Sequence, residues 1–247
     1  MARPHLPRHI ARMKRFWDTA TAAPHEEGGF TLLLDGRPMR LPAGGQLRLA
    51  TERLADALAA EWQEAGGAKG GEMTMEMVPL TRVVSTAIDR VAPDPGPSVD
   101  AIAQYGETDL LCYRGEDPRL AAIQAAEWQP LLDWAALELD APLKHTNDIR
   151  HVAQPPESLA ALRRAVAALP PLPLTALGLA VPLLGSVVLG LAMVHRRLDA
   201  AEATRLAMVE ESWQQDFWGE DAEAMARRRA IARDVALAER VMLLARD

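Results

Sequence analysis

The side chains that could perform chemistry are few, and their spacing matches no catalytic or metal-binding motif. His145 and His151 could bind a metal, but they lie on a segment without periodicity and have no patterned third ligand. The run Gly66–Gly71 lacks the Gly-Lys-Ser/Thr order of a phosphate-binding loop. Cys112 lies in an apolar run and has no base nearby in sequence to activate its thiol. We therefore interpret these residues as surface histidines, a loop and a buried small side chain.

Acids and amides are instead interleaved with aromatic residues in three segments. These segments are Tyr105–Arg114, Trp128–Trp134 and Glu210–Asp221. In the third segment, helical spacing places positions 211, 214, 215 and 218 on one face and positions 213 and 217 on another. Two interpretations are open from this pattern: a core helix with a solvated acidic face, or a binding surface.

Composition limits the partners that this chain can have. Its 247 residues include 27 basic and 34 acidic ones, a net charge of −7. That balance argues against nucleic acid as the main partner, because phosphate binders usually carry a basic excess. The single cysteine rules out an intrachain disulfide framework.

A long apolar stretch raises the possibility of a membrane span. Residues 165–194 contain no Asp, Glu, Lys, Arg or His, and Leu172–Val194 is long enough to cross a bilayer. Pro182 lies inside this stretch and would break or kink a helix there. We therefore expect two buried helices, over about 174–181 and 183–195, and no stable membrane insertion.

The N-terminal part of the sequence has mostly β-type patterns. Asp35-Gly36 separates two apolar runs and is typical of a type I′ hairpin turn. The segment Gln46–Ala50 could add a third strand, and Thr51 could cap a helix that runs to residue 65. The alternating methionines 73, 75 and 77 could form another short strand.

Helical periodicity dominates the rest of the chain. Asp117-Pro118 is typical of a helix start, and Asp199 with Glu202 resembles a capping box that opens a helix ending at Gly219. We predict an α+β fold, with a small β-rich N-terminal domain that contains one helix over residues 1–78. A larger multi-helical domain is predicted over residues 79–247.

Short motifs recur in an order that is more specific than any one of them. They are Lys14–Trp17, Leu34–Pro38, Leu58–Trp62, Pro79–Thr81, Thr86–Asp89, Thr108–Arg114, Trp128–Trp134, Gly185-Ser186 and Glu211–Gly219. In this order they resemble the assembly chaperones for the catalytic head of F-type ATP synthase, those that handle its α subunit. The likeness runs from about residue 14 to residue 245.

This resemblance implies a chaperone without catalysis or cofactor, which binds free α subunit and prevents its aggregation before β subunit arrives. A functionally important acid of the family falls on Glu211, next to Glu210. We add Gln214, Trp218 and Asp109 as candidate client-binding residues. The family occurs in mitochondria and in some bacteria, and the short N-terminus resembles the bacterial form. The expected location is therefore the cytoplasm of a bacterium, or the mitochondrial matrix if the source is eukaryotic.

Two alternatives are left open by the sequence. The first is a helical enzyme that uses an acidic residue of the 210–221 segment as general acid or base. The second is a membrane-associated factor that spans the bilayer at 172–194.

Overall fold

The computed structural model describes residues 13–41, 44–148, 150–219 and 221–246, with only the backbone of Phe217 and Trp218. The chain divides into two compact units. One runs to Asp89 and includes the residues from Leu244 onward, and the other is Arg90–Leu243. The domain boundary placed after residue 78 remains a prediction.

The first unit contains two small antiparallel sheets. Strands β2 (Ala20–Pro24), β3 (Phe30–Leu34) and β4 (Arg37–Pro38) form one sheet, and β1 (Met13–Lys14) pairs with β5 (Glu72–Met73) in the other. The predicted hairpin turn is confirmed. Asp35 and Gly36 have φ angles of 48° and 76°, and Leu34 pairs with Arg37. Positive φ at both central residues is what a type I′ turn requires.

Of the two further strands predicted for this unit, one is wrong and the other is confirmed only at Met73. The segment 46–50 forms only isolated bridges, between Arg40 and Gln46 and between Phe30 and Leu49. Its leucines at 47 and 49 are buried, so the alternating pattern reflects core packing rather than a regular ladder. Of the three methionines, only Met73 lies in a strand, because residues 75–77 form a 3₁₀ turn.

Helix α1 (Glu52–Glu64) packs against β2 and β3. The Thr51 cap is confirmed, since its hydroxyl accepts a hydrogen bond from the Leu54 amide at 3.2 Å. The guanidinium of Arg15, only 3% exposed, fixes the chain before β2. It donates to five backbone carbonyls, those of residues 17, 18, 63, 65 and 67. Buried charge of this kind is tolerated because each of the three guanidinium nitrogens has a backbone acceptor. Helix α2 (Pro79–Thr86) follows and continues as a π-helical turn through Val91.

The second unit is helical in its described part. Its helices are α3 (Gly96–Ala103), α4 (Pro118–Glu138), α5 (Pro156–Ala167), α6 (Pro171–Leu184), α7 (Val187–Val194), α8 (Ala200–Ala207), α9 (Val209–Trp218) and α10 (Ala222–Leu244). The caps proposed for Asp117 and Asp199 are confirmed, because their carboxylates accept from the amides of Arg119 and Glu202. The single helix predicted over 199–219 is instead two helices, α8 and α9, which meet at Met208.

Helices α6 and α7 form the predicted core hairpin, but the break is not at Pro182. That proline lies within α6, and the helix ends at Gly185, which has a φ of 65°. Glycine adopts this left-handed conformation without the steric cost of a Cβ. At Gly190, an added Cβ would lie 2.6 Å from side-chain atoms of both Leu177 and Val181, so glycine lets the two helices approach closely. Among the residues described, no helix combines the length and apolarity needed to cross a membrane.

Candidate functional site

The predicted binding segment forms one wall of an open groove between α9 and α10, in the second unit. We call it the α9–α10 groove. It has a volume of about 240 Å³, and its lining includes Met208, Glu211, Gln214, Arg227, Arg228 and Ile231. The groove therefore joins polar side chains from both helices to an apolar surface.

A short connection brings the two helices together. Gly219 ends α9 with a φ of 82°, and its amide donates to the Gln215 carbonyl at 2.9 Å. The Asp221 carboxylate starts α10 by accepting from the amides of Glu223 and Ala224 at 3.2 and 3.3 Å. An acid at this position satisfies free amides at the helix N-terminus.

Gln215 links the two walls. Its side-chain oxygen accepts a 2.6 Å hydrogen bond from Arg228 Nη1, and its amide nitrogen lies 3.4 Å from the sulfur of Met225. Glu211 lies four residues earlier, on the same face of α9. The Arg228 guanidinium therefore already has a hydrogen-bond partner within the groove, the side chain of Gln215.

Glu211 and Gln214 are exposed on the α9 wall. Within the described ranges, the Glu211 carboxylate has no hydrogen bond or ion pair, whereas Glu210 accepts a 3.2 Å bond from the Gln214 amide. Glu210 is exposed but does not line the groove. The Trp218 side chain, also a candidate, falls outside the described residues.

Asp109 requires a correction. Its carboxylate is fully buried, and accepts bonds from the Ser186 hydroxyl at 2.8 and 3.0 Å and from the Leu111 and Val188 amides at 3.1 Å. Burial raises the pKa of Asp109 to about 6, although these hydrogen bonds oppose the shift. A carboxylate without exposed surface cannot contact a client in this fold. Its role here is to join the 110–112 turn to the start of α7.

The residues set aside in the sequence lie apart from the groove lining. The hydroxyl of Tyr113 and Nδ1 of His151 are 3.1 Å apart. Burial raises the pKa of the Cys112 thiol, which disfavours the nucleophilic thiolate. In the described ranges, no group of three or more His, Cys, Asp or Glu side chains is placed to hold a metal ion.

Sequence reasoning missed the α10 wall. Arg227, Arg228 and Ile231 line the groove and lie on α10, which contributes none of the candidate residues predicted from the sequence. The run of three arginines at 227–229 was the available signal.

Comparison with known proteins supports the family assignment that was predicted from the order of the short motifs. The sequence profile of the family described as ATP12 chaperone protein matches residues 14–136. The crystal structure of Atp12 from Paracoccus denitrificans is 42% identical, with a TM-score of 0.87, and the match covers 94% of this chain and 98% of that one. An aspartate-to-lysine mutant of P. denitrificans Atp12p matches with the same values. A candidate chaperone from Agrobacterium tumefaciens is 37% identical, with a TM-score of 0.86 and coverage of 95% and 87%.

The class of protein that these matches define is an assembly chaperone without enzymatic activity. The chain belongs to the ATP12 chaperone family, and is an assembly chaperone of ATP synthase. The match at 42% identity extends over 94% of this chain.

Proposed function

We propose that this chain binds the free α subunit of the F-type ATP synthase catalytic head and keeps it from aggregating until β subunit arrives. The place of this binding would be the compartment where α subunit is made or imported, which in a bacterium is the cytoplasm. The observation that carries the proposal is the α9–α10 groove, in which Glu211 is exposed and has no partner among the described residues. Family membership supplies the assembly role within which that groove is interpreted.

The need for such a chaperone follows from the size of obligate interfaces. Subunits of permanent complexes bury roughly 2,000 Å² or more, and these surfaces are more hydrophobic than ordinary protein surfaces. When exposed, an apolar patch of that size favours aggregation. The groove is too small to cover it, so we assign to the groove the role of an anchor within a wider contact. In protein interfaces, a few central residues commonly supply most of the binding energy.

The direct test is the refolding of purified α subunit by dilution, followed by light scattering. With an equimolar amount of this protein, we expect little scattering, and addition of β subunit should release α subunit into αβ complexes. An unrelated acidic protein of similar size serves as the control. Equal turbidity with this protein and with the control would contradict the proposed function.

A variant connects the function to the groove. Loss of a hydrogen bond to a charged group costs about 1.5–3 kcal/mol, which is about ten- to a hundredfold in affinity. We therefore expect Glu211→Gln to weaken α-subunit binding by about tenfold or more, as measured by biolayer interferometry. Glu210→Gln is the matched control, since this neighbour is also exposed but does not line the groove, and its effect should be smaller. Equal affinities of Glu211→Gln and the wild type would remove Glu211 from the site.

A further inference from the structure

We propose that the α9–α10 groove binds a segment of the α subunit that carries both a base and an acid beside an apolar side chain. Glu211 would bind the base, and Arg227 the acid. This inference rests on the proposed function and adds to it the chemistry of the bound segment and a second recognition residue, Arg227.

The first argument is the state of the two charges. Glu211 and Arg227 are both exposed and line the same groove, on opposite helices. They form no ion pair with each other, and within the described ranges neither has another hydrogen-bond or ion-pair partner. Arg228, one residue further on, bonds to Gln215 instead. Among the described residues, the groove therefore presents one carboxylate and one guanidinium without a partner.

The second argument is the size and surface of the groove. Its volume of about 240 Å³ is below the roughly 300–1,000 Å³ typical of sites for small ligands. Half-buried Met208 and Ile231 supply apolar surface between the two walls. A space of this size suits a few side chains of a larger partner, with an apolar one against Met208 and Ile231.

The third argument is charge complementarity. A segment with bases alone would bring like charge toward Arg227 and Arg228, and one with acids alone would bring like charge toward Glu211 and Asp221. Only a segment with both signs can pair with both walls, and like-charge contacts in the wrong segment would disfavour its binding. Arg228 and Asp221 already have partners, so among the described charged residues of the lining we assign recognition to Glu211 and Arg227.

Arg227→Gln removes the acid-recognising half of this arrangement and leaves Glu211, the base-recognising half, in place. We expect it to weaken α-subunit binding on the order of tenfold, and Arg227→Glu to weaken it further. Arg229→Gln is the matched control, because Arg229 lies on the same helix, is exposed and does not line the groove. It should bind within about twofold of the wild type. Circular dichroism melts would confirm that all variants are folded.

The outcomes separate this inference from the proposed function. If the wild type does not bind α subunit at all, the proposed function is wrong. If the wild type binds and Glu211→Gln is weakened while Arg227→Gln behaves like Arg229→Gln, the function stands and the paired-charge inference is overturned.

Crosslinking identifies the bound segment. A photoreactive benzophenone side chain placed at position 214, on the α9 wall of the groove, should crosslink to α subunit in the purified complex. Mass spectrometry should find a crosslinked peptide with a Lys or Arg and an Asp or Glu flanking an apolar residue. A crosslinked peptide with one sign of charge only, or a crosslink to a second copy of this chain in place of α subunit, would overturn the inference.

Discussion

The surroundings of Asp109 and the α9–α10 groove use carboxylates in opposite ways. Around Asp109, both oxygens are bonded to the Ser186 hydroxyl and to amides, and the side chain is removed from water. In the groove, Glu211 is exposed and has no partner in the described part of the chain. A carboxylate side chain thus stabilises the fold in the first region and is available for a partner in the second.

The buried region, which we call the Asp109 junction, consists of Asp109, Ser186 and the amides of Leu111 and Val188. Ser186 also caps α7, since its hydroxyl accepts from the Leu189 amide at 3.0 Å. Every side chain of this short apolar helix is buried, so water cannot satisfy its first amides. A negative charge next to a helix N-terminus is also favourable. The junction thus supplies the hydrogen bonds that let a fully apolar helix begin inside the core.

Asp109→Ala should destabilise the protein more than any other substitution considered for either region. It would leave the Ser186 hydroxyl and the amides of Leu111 and Val188 without their acceptor, at about 1–3 kcal/mol for each unsatisfied group. We expect the free energy of unfolding, measured with urea, to fall by at least about 3 kcal/mol. Ser186→Ala, which leaves the two amides bonded to Asp109, should have a smaller effect. A loss below about 1 kcal/mol for Asp109→Ala would contradict a structural role of the junction.

The junction should also make stability depend on pH. Burial raises the pKa of Asp109 from 3.8 to about 6, so the folded state binds this proton more tightly than the unfolded state. Between these two pKa values the folded state carries more protons, and its stability contribution falls as pH rises from about 4 to above 6. Asp109→Asn removes this titration. We therefore expect the stability advantage of the wild type over Asp109→Asn to be larger at pH 4.5 than at pH 7.5, as measured by urea titrations. A difference that is constant with pH would show that Asp109 has no raised pKa.

Local signals in the sequence were sufficient for local structure. The Asp35-Gly36 turn and the caps at Thr51, Asp117 and Asp199 each depend on residues within a few positions of one another. Such interactions are determined by backbone preferences and short-range hydrogen bonds, which a sequence displays directly. The α+β class followed from the same patterns.

Contacts between residues that are far apart in the sequence could not be predicted from such local patterns. Asp109 and Ser186 are 77 positions apart, and no periodicity relates them. The sequence placed Asp109 beside aromatic and polar residues and so favoured a surface role, whereas the fold closes α7 over it. The α10 wall of the groove was missed for a similar reason, since Arg227 faces α9 only after the chain turns at Gly219.

Glu210→Gln and Glu211→Gln should have only small effects on the free energy of unfolding. Glu210 and Glu211 both lie in the first turn of α9, where an acid gains a few tenths of a kcal/mol or more from the helix dipole at low salt. Both are exposed, so each substitution by Gln should change the free energy of unfolding by less than about 0.5 kcal/mol, and to a similar extent. Urea titrations at two salt concentrations would measure this, because a dipole contribution decreases with ionic strength. If Glu211→Gln alone lowered stability by more than about 1 kcal/mol, Glu211 would belong with Asp109 as a residue of the fold. Its effect on α-subunit binding would then have to be attributed to unfolding.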